Sequence, residues 1–295
     1  MSDHHQHDVA VLGCGNMGKA IALTALTAGH RTVVWNRTPA RALPLEDAGA
    51  TVAPSVVDAI ASAALTIVCV SSTPDVEGLL RSADPALTGT SVLNLTSGTP
   101  DDASRLAAWA AAHHLPYLDG AILAYPEQIG SPEARIVVAG DEALWLRHRK
   151  VVLDLAAGST YVGGDPCAAN VVDTGITGVF YFSSVVAFIE AVRYLQAAGV
   201  TADAVSDLIG HATAQLDWQL RDILQRTVTG DHDTDQASLA VYHEAGESFL
   251  GAVRTKVAAP LLATTMGLLT EAMAAGLGDS DISALATLPA GTDHR

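Results

Sequence analysis

Residues Val9-Ala10-Val11-Leu12-Gly13-Cys14-Gly15-Asn16-Met17-Gly18 run a short apolar strand directly into Gly-x-Gly-x-x-Gly. An alanine-rich helical stretch and a second strand, Thr32-Val33-Val34-Trp35, follow at once. No other feature constrains the fold as much. The glycines let the backbone turn tightly and come close to a pyrophosphate, whose charge is met by the N–H groups and positive end of the following helix. Glycine spacing alone is a weak sign, but the strand before it and the helix after it supply the context that a dinucleotide site requires. Gly13, Gly15, Asn16, Met17 and Gly18 are therefore the first candidate contacts.

The end of the second strand predicts which dinucleotide. A site selective for NAD usually places Asp or Glu there, about twenty residues on, to accept from the ribose 2′-hydroxyl. This chain has Asn36, Arg37, Thr38 and then Arg41. A carboxylate would repel a 2′-phosphate, whereas two guanidinium groups and a hydroxyl can hold it by charge-assisted hydrogen bonds. The expected cofactor is NADPH.

Beyond this segment, residues 9 to about 160 alternate β-rich runs with alanine- and leucine-rich helical stretches, the pattern of an α/β fold with a doubly wound parallel sheet. Predicted strands are Val9–Leu12, Thr32–Trp35, Thr66–Val70, Ser91–Leu95, Tyr117–Gly120, Arg135–Ala139 and Ser159–Val162. Ser71, Ser72, Asn94, Thr96 and Ser97 stand at or just past strand carboxyl ends, where a parallel sheet presents a cofactor. After Gly163-Gly164-Asp165-Pro166 everything reads as helix. The predicted division is a dinucleotide-binding domain over 1–163 and a helical domain over 164–295.

At 295 residues the chain is long enough for two cores. Sixteen basic against thirty-two acidic residues give a net charge of −16, which opposes binding to nucleic acid or an anionic membrane. Cys14, Cys69 and Cys167 lack metal-ligand spacing and read as free thiols in a reducing cytoplasm. No cationic and then apolar leader is evident, so no signal peptide is expected, and His4-His5-Gln6-His7 reads as a polar tail rather than a metal site.

The stretch from about Cys167 to Gly199 is the longest predicted helix, and it is apolar nearly all round between Thr174 and Ile189. A helix without a wet face must be covered. The uncharged run lies between Asp173 and Glu190 and falls short of the roughly twenty residues of a membrane span, so burial between subunits is expected.

Together these segments resemble the β-hydroxyacid dehydrogenase superfamily, and within it the NADPH-dependent imine reductases and reductive aminases. The likeness extends over most of the chain. It is carried by the glycine loop, by Gly29-His30 with Val33-Val34-Trp35-Asn36-Arg37-Thr38, by Leu93-Asn94-Leu95-Thr96-Ser97-Gly98-Thr99-Pro100, and by Asp119-Gly120-Ala121-Ile122-Leu123-Ala124-Tyr125-Pro126-Glu127-Gln128-Ile129-Gly130. The last segment lacks the Pro-Val-Ser-Gly-Gly pattern usual in hydroxyacid dehydrogenases. The resemblance implies a Rossmann domain, a long interdomain helix, and a helical domain exchanged within a homodimer. It also implies an active site between one subunit's Rossmann domain and its partner's helices.

Two chemistries can be told apart. Hydroxyacid dehydrogenases use a lysine near the start of the interdomain helix. Laying Ala168-Ala169-Asn170-Val171-Val172-Asp173 on their pattern puts Asn170 at that place, and no lysine occurs from 151 to 255. Asparagine cannot act as a general acid. Asp173 and Tyr181 remain on the helix; in an α-helix eight residues turn through about 800°, leaving the two about 80° apart in projection. In the imine reductases the Tyr181 position often carries the proton donor, and in the reductive aminases the Asp173 position contacts the amine. Reductive aminases often have Asn where Ser97 stands.

Both residues also admit structural readings: Tyr181 as a core aromatic within Phe180-Tyr181-Phe182, Asp173 as a charge at the edge of an apolar run. Leu123, Tyr125, Trp218, Tyr242 and His243 are the candidate substrate walls. The expected function is reduction of an apolar, cyclic imine by NADPH, with reductive amination of a ketone and an amine as an added capacity. The alternatives are a hydroxyacid dehydrogenase with a different proton donor and a non-catalytic NADPH-binding protein.

Overall fold

A computed structural model describes residues 5–83 and 87–289. The chain divides into two compact units, 1–181 and 182–295. In the first, eight strands form one sheet in the order β3-β2-β1-β4-β5-β6-β7-β8. They are β1 (His7–Leu12), β2 (Thr32–Trp35), β3 (Thr51–Val52), β4 (Ala63–Val68), β5 (Ser91–Asn94), β6 (Tyr117–Ile122), β7 (Ile136–Gly140) and β8 (Thr160–Tyr161). Among the described residues six α-helices connect them: α1 (Asn16–Thr27), α2 (Leu43–Glu46), α3 (Val56–Ala61), α4 (Thr73–Ser82), α5 (Pro100–Ala112) and α6 (Glu142–Leu155). The order 3-2-1-4-5-6 is that of a dinucleotide-binding sheet, whose strand order reverses beside β1 and so opens a crevice at the strand ends.

Alternation along β1 shows why this unit holds. Val9 and Val11 enter one core with Ile21, Ala22 and Trp145, while Ala10 and Leu12 enter the opposite core with Val76, Leu80 and Leu106. Successive side chains point to opposite faces, so a strand covered on both sides must be apolar at every position.

Three expectations about the sheet and its strands change. The sheet is not wholly parallel, because β6 pairs antiparallel with β7. The connection from Leu123 to Arg135 holds only a 3-10 turn, Pro126–Gln128, and no crossover helix of the kind that joins parallel neighbours. The strand predicted at Thr66–Val70 lies at Ala63–Val68, which leaves Cys69 and Val70 beyond the sheet. His7 is not part of a tail: it opens β1 and is buried, with its ring bonded to Ser62 Oγ and Thr51 Oγ1, both at 3.1 Å. His4 lies outside the described residues.

The long helix occupies Ala168–Ala197 and carries an unforeseen change of pitch. It is α-helical in α7 (Ala168–Asp173), π-helical over Thr174–Tyr181, and α-helical again in α8 (Phe182–Ala197). A π turn bonds i to i+5 and takes more residues per turn than 3.6. The projection of about 80° expected between Asp173 and Tyr181 for an α-helix therefore does not hold.

Helices α9 (Ala202–Thr229), α10 (Leu239–Arg254) and α11 (Pro260–Ala274) follow α8 in the second unit. Its core gathers Leu239, Leu250, Met266, Leu269 and Ala272. The Glu190 carboxylate of α8 accepts from the N–H groups of Leu261 and Leu262, at 3.1 and 3.0 Å, and so closes the otherwise unsatisfied first turn of α11.

Candidate active site

The glycine loop is held from both sides. A Cβ on Gly13, whose φ is +101°, would overlap the Cys69 carbonyl, and one on Gly18 would overlap the Gly13 carbonyl, so neither position tolerates a side chain. A Cβ on Gly15 would meet nothing, and this residue forms the N-cap of α1, where free N–H groups face outward. The result is a cavity of about 400 Å³ lined by Gly13, Gly15, Asn16, Met17, Gly18, Asn36, Arg37, Thr38, Arg41 and Ser71. Ten of the predicted cofactor residues thus meet in one place. Phosphate-sized space against helix N–H groups, with two guanidinium groups at the rim, suits a dinucleotide carrying a further phosphate.

Asn36 has a different task from its neighbours. Its Oδ1 accepts from Cys14 N at 2.9 Å and its Nδ2 donates to the Thr38 carbonyl at 2.9 Å. The Oδ1 end fastens the end of β2 to the glycine loop and the Nδ2 end pins the turn that follows β2, which leaves Arg37, Thr38 and Arg41 as the exposed polar groups. Sequence reasoning missed Asp75. Its carboxylate lies 3.2 Å from the Arg37 guanidinium and lines the same cavity, 38 positions away along the chain. Cys69 also lines it, beside the buried Cys14. Burial pushes both thiols up to about 11, for Cys14 against a smaller opposing pull from Lys19, so both remain protonated.

Ser72, Asn94, Thr96 and Ser97 lie outside this cavity. Ser72 caps α4, its Oγ donating to Asp75 Oδ2 at 2.8 Å. Thr96 is buried and accepts from Val70 N at 3.1 Å, and Asn94 is buried beneath it, whereas Ser97 is exposed at the loop surface.

Tyr181 ends the π segment, and its hydroxyl lies 3.1 Å from that of Tyr125. The hydrogen bond with Tyr125, followed by the electrostatic effect of that neighbour, raises the Tyr181 pKa above the ordinary tyrosine value, so Tyr181 carries its proton at neutral pH. Tyr125 is fixed by Gln128, whose side-chain oxygen accepts from Tyr125 N at 2.8 Å. Leu123 precedes this turn and Asp173 closes α7. Asn170 is buried and does not face solvent; its amide donates to Asp119.

The other predicted walls belong to the second unit. Trp218 is exposed on α9, next to Gln219, whose amide donates to the Tyr242 hydroxyl at 2.8 Å. The neighbouring His243 ring is 3.2 Å from Thr270 Oγ1.

Residues 8–180 match the NAD binding domain of 6-phosphogluconate dehydrogenase, and residues 165–290 match the NADPH-dependent reductive aminase-like C-terminal domain. The chain is 30% identical over 97% of its length to an NADPH-dependent reductive aminase of Aspergillus oryzae, covering 96% of that protein. It is similar in structure to the reductive aminase from Aspergillus terreus in complex with NADPH4, cyclohexanone and allyl amine, with a TM-score of 0.87 and 31% identity over 96% of this chain and 99% of that one. It is likewise similar to the imine reductase from Myxococcus stipitatus in complex with NADP+, with a TM-score of 0.88 and 29% identity over 95% and 99%.

Proposed function

The chain belongs to the NADPH-dependent reductive aminase and imine reductase family, and from that premise we propose that it reduces the C=N bond of an apolar, cyclic imine. When bound, NADPH supplies the hydride. The glycine loop and α1 hold the pyrophosphate, and Arg37, Thr38 and Arg41 hold the 2′-phosphate. Asp173 stabilises the positive charge of a protonated imine nitrogen, and Tyr181, oriented by Tyr125, holds or delivers the proton on that nitrogen. Leu123 and Tyr125 form one wall of the substrate site, and Trp218, Tyr242 and His243 of a second copy form the other. Ser97, in place of the family's usual asparagine, favours reduction of a pre-formed imine over coupling of a ketone with an amine.

The observation that carries this reading is the Tyr125–Tyr181 hydroxyl pair at the end of the π segment, on a helix whose lysine position holds a buried asparagine. Single π segments inside α-helices are frequent at functional sites. We take 1–163 as the cofactor domain, 164–295 as the domain of substrate binding and assembly, a homodimer as the working form and the cytoplasm as its place. Ala168–Ala197 is 30 residues long, with an 18-residue window of mean hydropathy 1.7, so by length and composition it could cross a bilayer. A second copy covering it explains the same apolar surface, and Glu190, which caps α11, fits that explanation better. The test is NADPH consumption with 1-pyrroline set beside reduction of NADP+ by a β-hydroxyacid. Turnover only with the imine supports the proposal, turnover only with the hydroxyacid points to a dehydrogenase, and binding without turnover points to a non-catalytic protein.

A further inference from the structure

In the middle of β6, paired with the last residue of β5, lies a carboxylate with no part in the chemistry described so far. Asp119 is 0% exposed, and Asn94 and Asn170 beside it are each 3% exposed. Asp119 Oδ1 accepts from Asn170 Nδ2 at 2.7 Å, while Oδ2 accepts from the Tyr117 hydroxyl and from Asn94 Nδ2 at 3.3 Å. Asn94 Oδ1 in turn accepts from Thr96 N at 3.1 Å. A continuous buried path thus runs from the backbone of the loop after β5, through two side chains, to the first turn of α7.

A carboxylate out of water is costly unless several donors meet it. Here three side chains do so, and they oppose the upward push of burial on its pKa. Apolar packing would seal the same space without directing anything. Hydrogen bonds have directions, and the Asn170 bond fixes how far α7 is turned about its axis. Asp173 lies three residues on, on the same side of the helix as Asn170. At the other end of the path the Thr96 bond fixes the loop that presents Ser97.

We propose that Asp119 is a positioning residue, which through Asn170 and Asn94 sets the start of the long helix against the Thr96–Ser97 loop and so aims Asp173 and Tyr181. This rests on the proposed imine chemistry of those two residues. It also gives Asn170 a task at the place where the resemblance puts a lysine: it is the donor that joins the helix to the buried carboxylate.

The test uses the full chain with Asp119→Asn, Asn170→Asp, both together, and Asn170→Ala. Asp119→Asn sets an amide against donors, whereas the double exchange restores one donor and one acceptor across the same gap. NADPH affinity, read by fluorescence titration, stays within about threefold in all four, because the cofactor cavity does not include these residues. In Asp119→Asn and Asn170→Ala, kcat for 1-pyrroline falls about tenfold or more with a smaller change in KM, since a misplacement of about 1 Å can cost about 10²-fold. The double exchange recovers most of that loss. Amide hydrogen exchange on the NADPH-loaded protein rises at 168–173 and 95–98 in the single variants. Asn170→Ala leaves Asp119 two donors and so reads the link even if Asp119→Asn does not fold. A folded Asn170→Ala protein with unchanged kcat, or a double exchange that regains thermal stability but not kcat, overturns the proposal. If the unaltered chain reduces no imine, the functional reading falls by itself, and the exchange rates at 168–173 decide whether Asp119 positions the helix.

Discussion

Arg37 and Asp75 face each other at the rim of the cofactor cavity, and a 2′-phosphate would have to share or displace that pair. Loss of one charge-assisted contact costs roughly 1.5–3 kcal/mol, so Arg37→Ala raises the KM for NADPH by about tenfold or more and leaves that for NADH nearly unchanged. Asp75→Ala acts in the opposite direction. Removing the carboxylate releases the guanidinium and lessens repulsion, and NADPH binding tightens by roughly two- to fivefold, the range of an exposed ion pair. Titration of both variants with NADPH and NADH checks the two together. At Tyr181, the change to Phe removes the hydroxyl and keeps the ring; turnover falls about 10²–10⁴-fold if it is the proton donor. Tyr125→Phe removes the hydrogen bond that holds the Tyr181 pKa up, so the alkaline limb of the kcat profile moves to lower pH. A limb that does not move would show that Tyr181 is not the group titrating there.

At the scale of elements, α6 carries a built-in sensitivity to acid. His148 is buried, and its Nε2 has no hydrogen-bond partner among the described residues. Burial, with the positive charge of Arg147, pulls its pKa down from 6.5 to about 4. The unfolded chain therefore takes up this proton before the folded one. The resulting stability is complete above pH 6.5 and is lost as pH falls toward 4, at no more than about 1.4 kcal/mol per pH unit. Thermal unfolding followed from pH 7 to 4 has a shallower slope in His148→Phe. Elements also differ in how legible they were. The strands predicted by alternation and apolar runs are present, with ends that match or shift by one to three residues, whereas β3 was not predicted. The π segment is equally hidden, since Thr174–Tyr181 has the composition of any apolar helix and its pitch depends on what packs and bonds around it.

At the scale of the whole molecule, the apolar surface decides the outcome. No residue of the π segment, α8 or α9 is buried within the single chain, and Val179, Phe182, Val186 and Ile189 are exposed. Monomers rarely leave so large an apolar face to water, and the proposed homodimer, with a second copy over this face, would be obligate. Sedimentation should find a dimer at micromolar concentration. Val186→Glu, at a position 53% exposed in the chain, should weaken assembly and activity together while leaving far-UV circular dichroism intact. A folded, active monomer would refute both the dimer and the shared cleft.

The cofactor class, the dinucleotide-binding sheet and the choice of imine over hydroxyacid were legible in the chain itself. Each rests on residues close together in sequence: glycines within six positions, a strand end with two arginines, a helix start with asparagine for lysine. Local backbone geometry and charge determine what such segments can do, whatever surrounds them. The Asp75–Arg37 pair, the Asp119 path and the Tyr125–Tyr181 contact join residues 38, 25 to 51 and 56 positions apart. Their meeting depends on strand order, on the antiparallel return of β7 and on the pitch of one helix, which are set by the packing of the whole chain, and only the folded structure decided them.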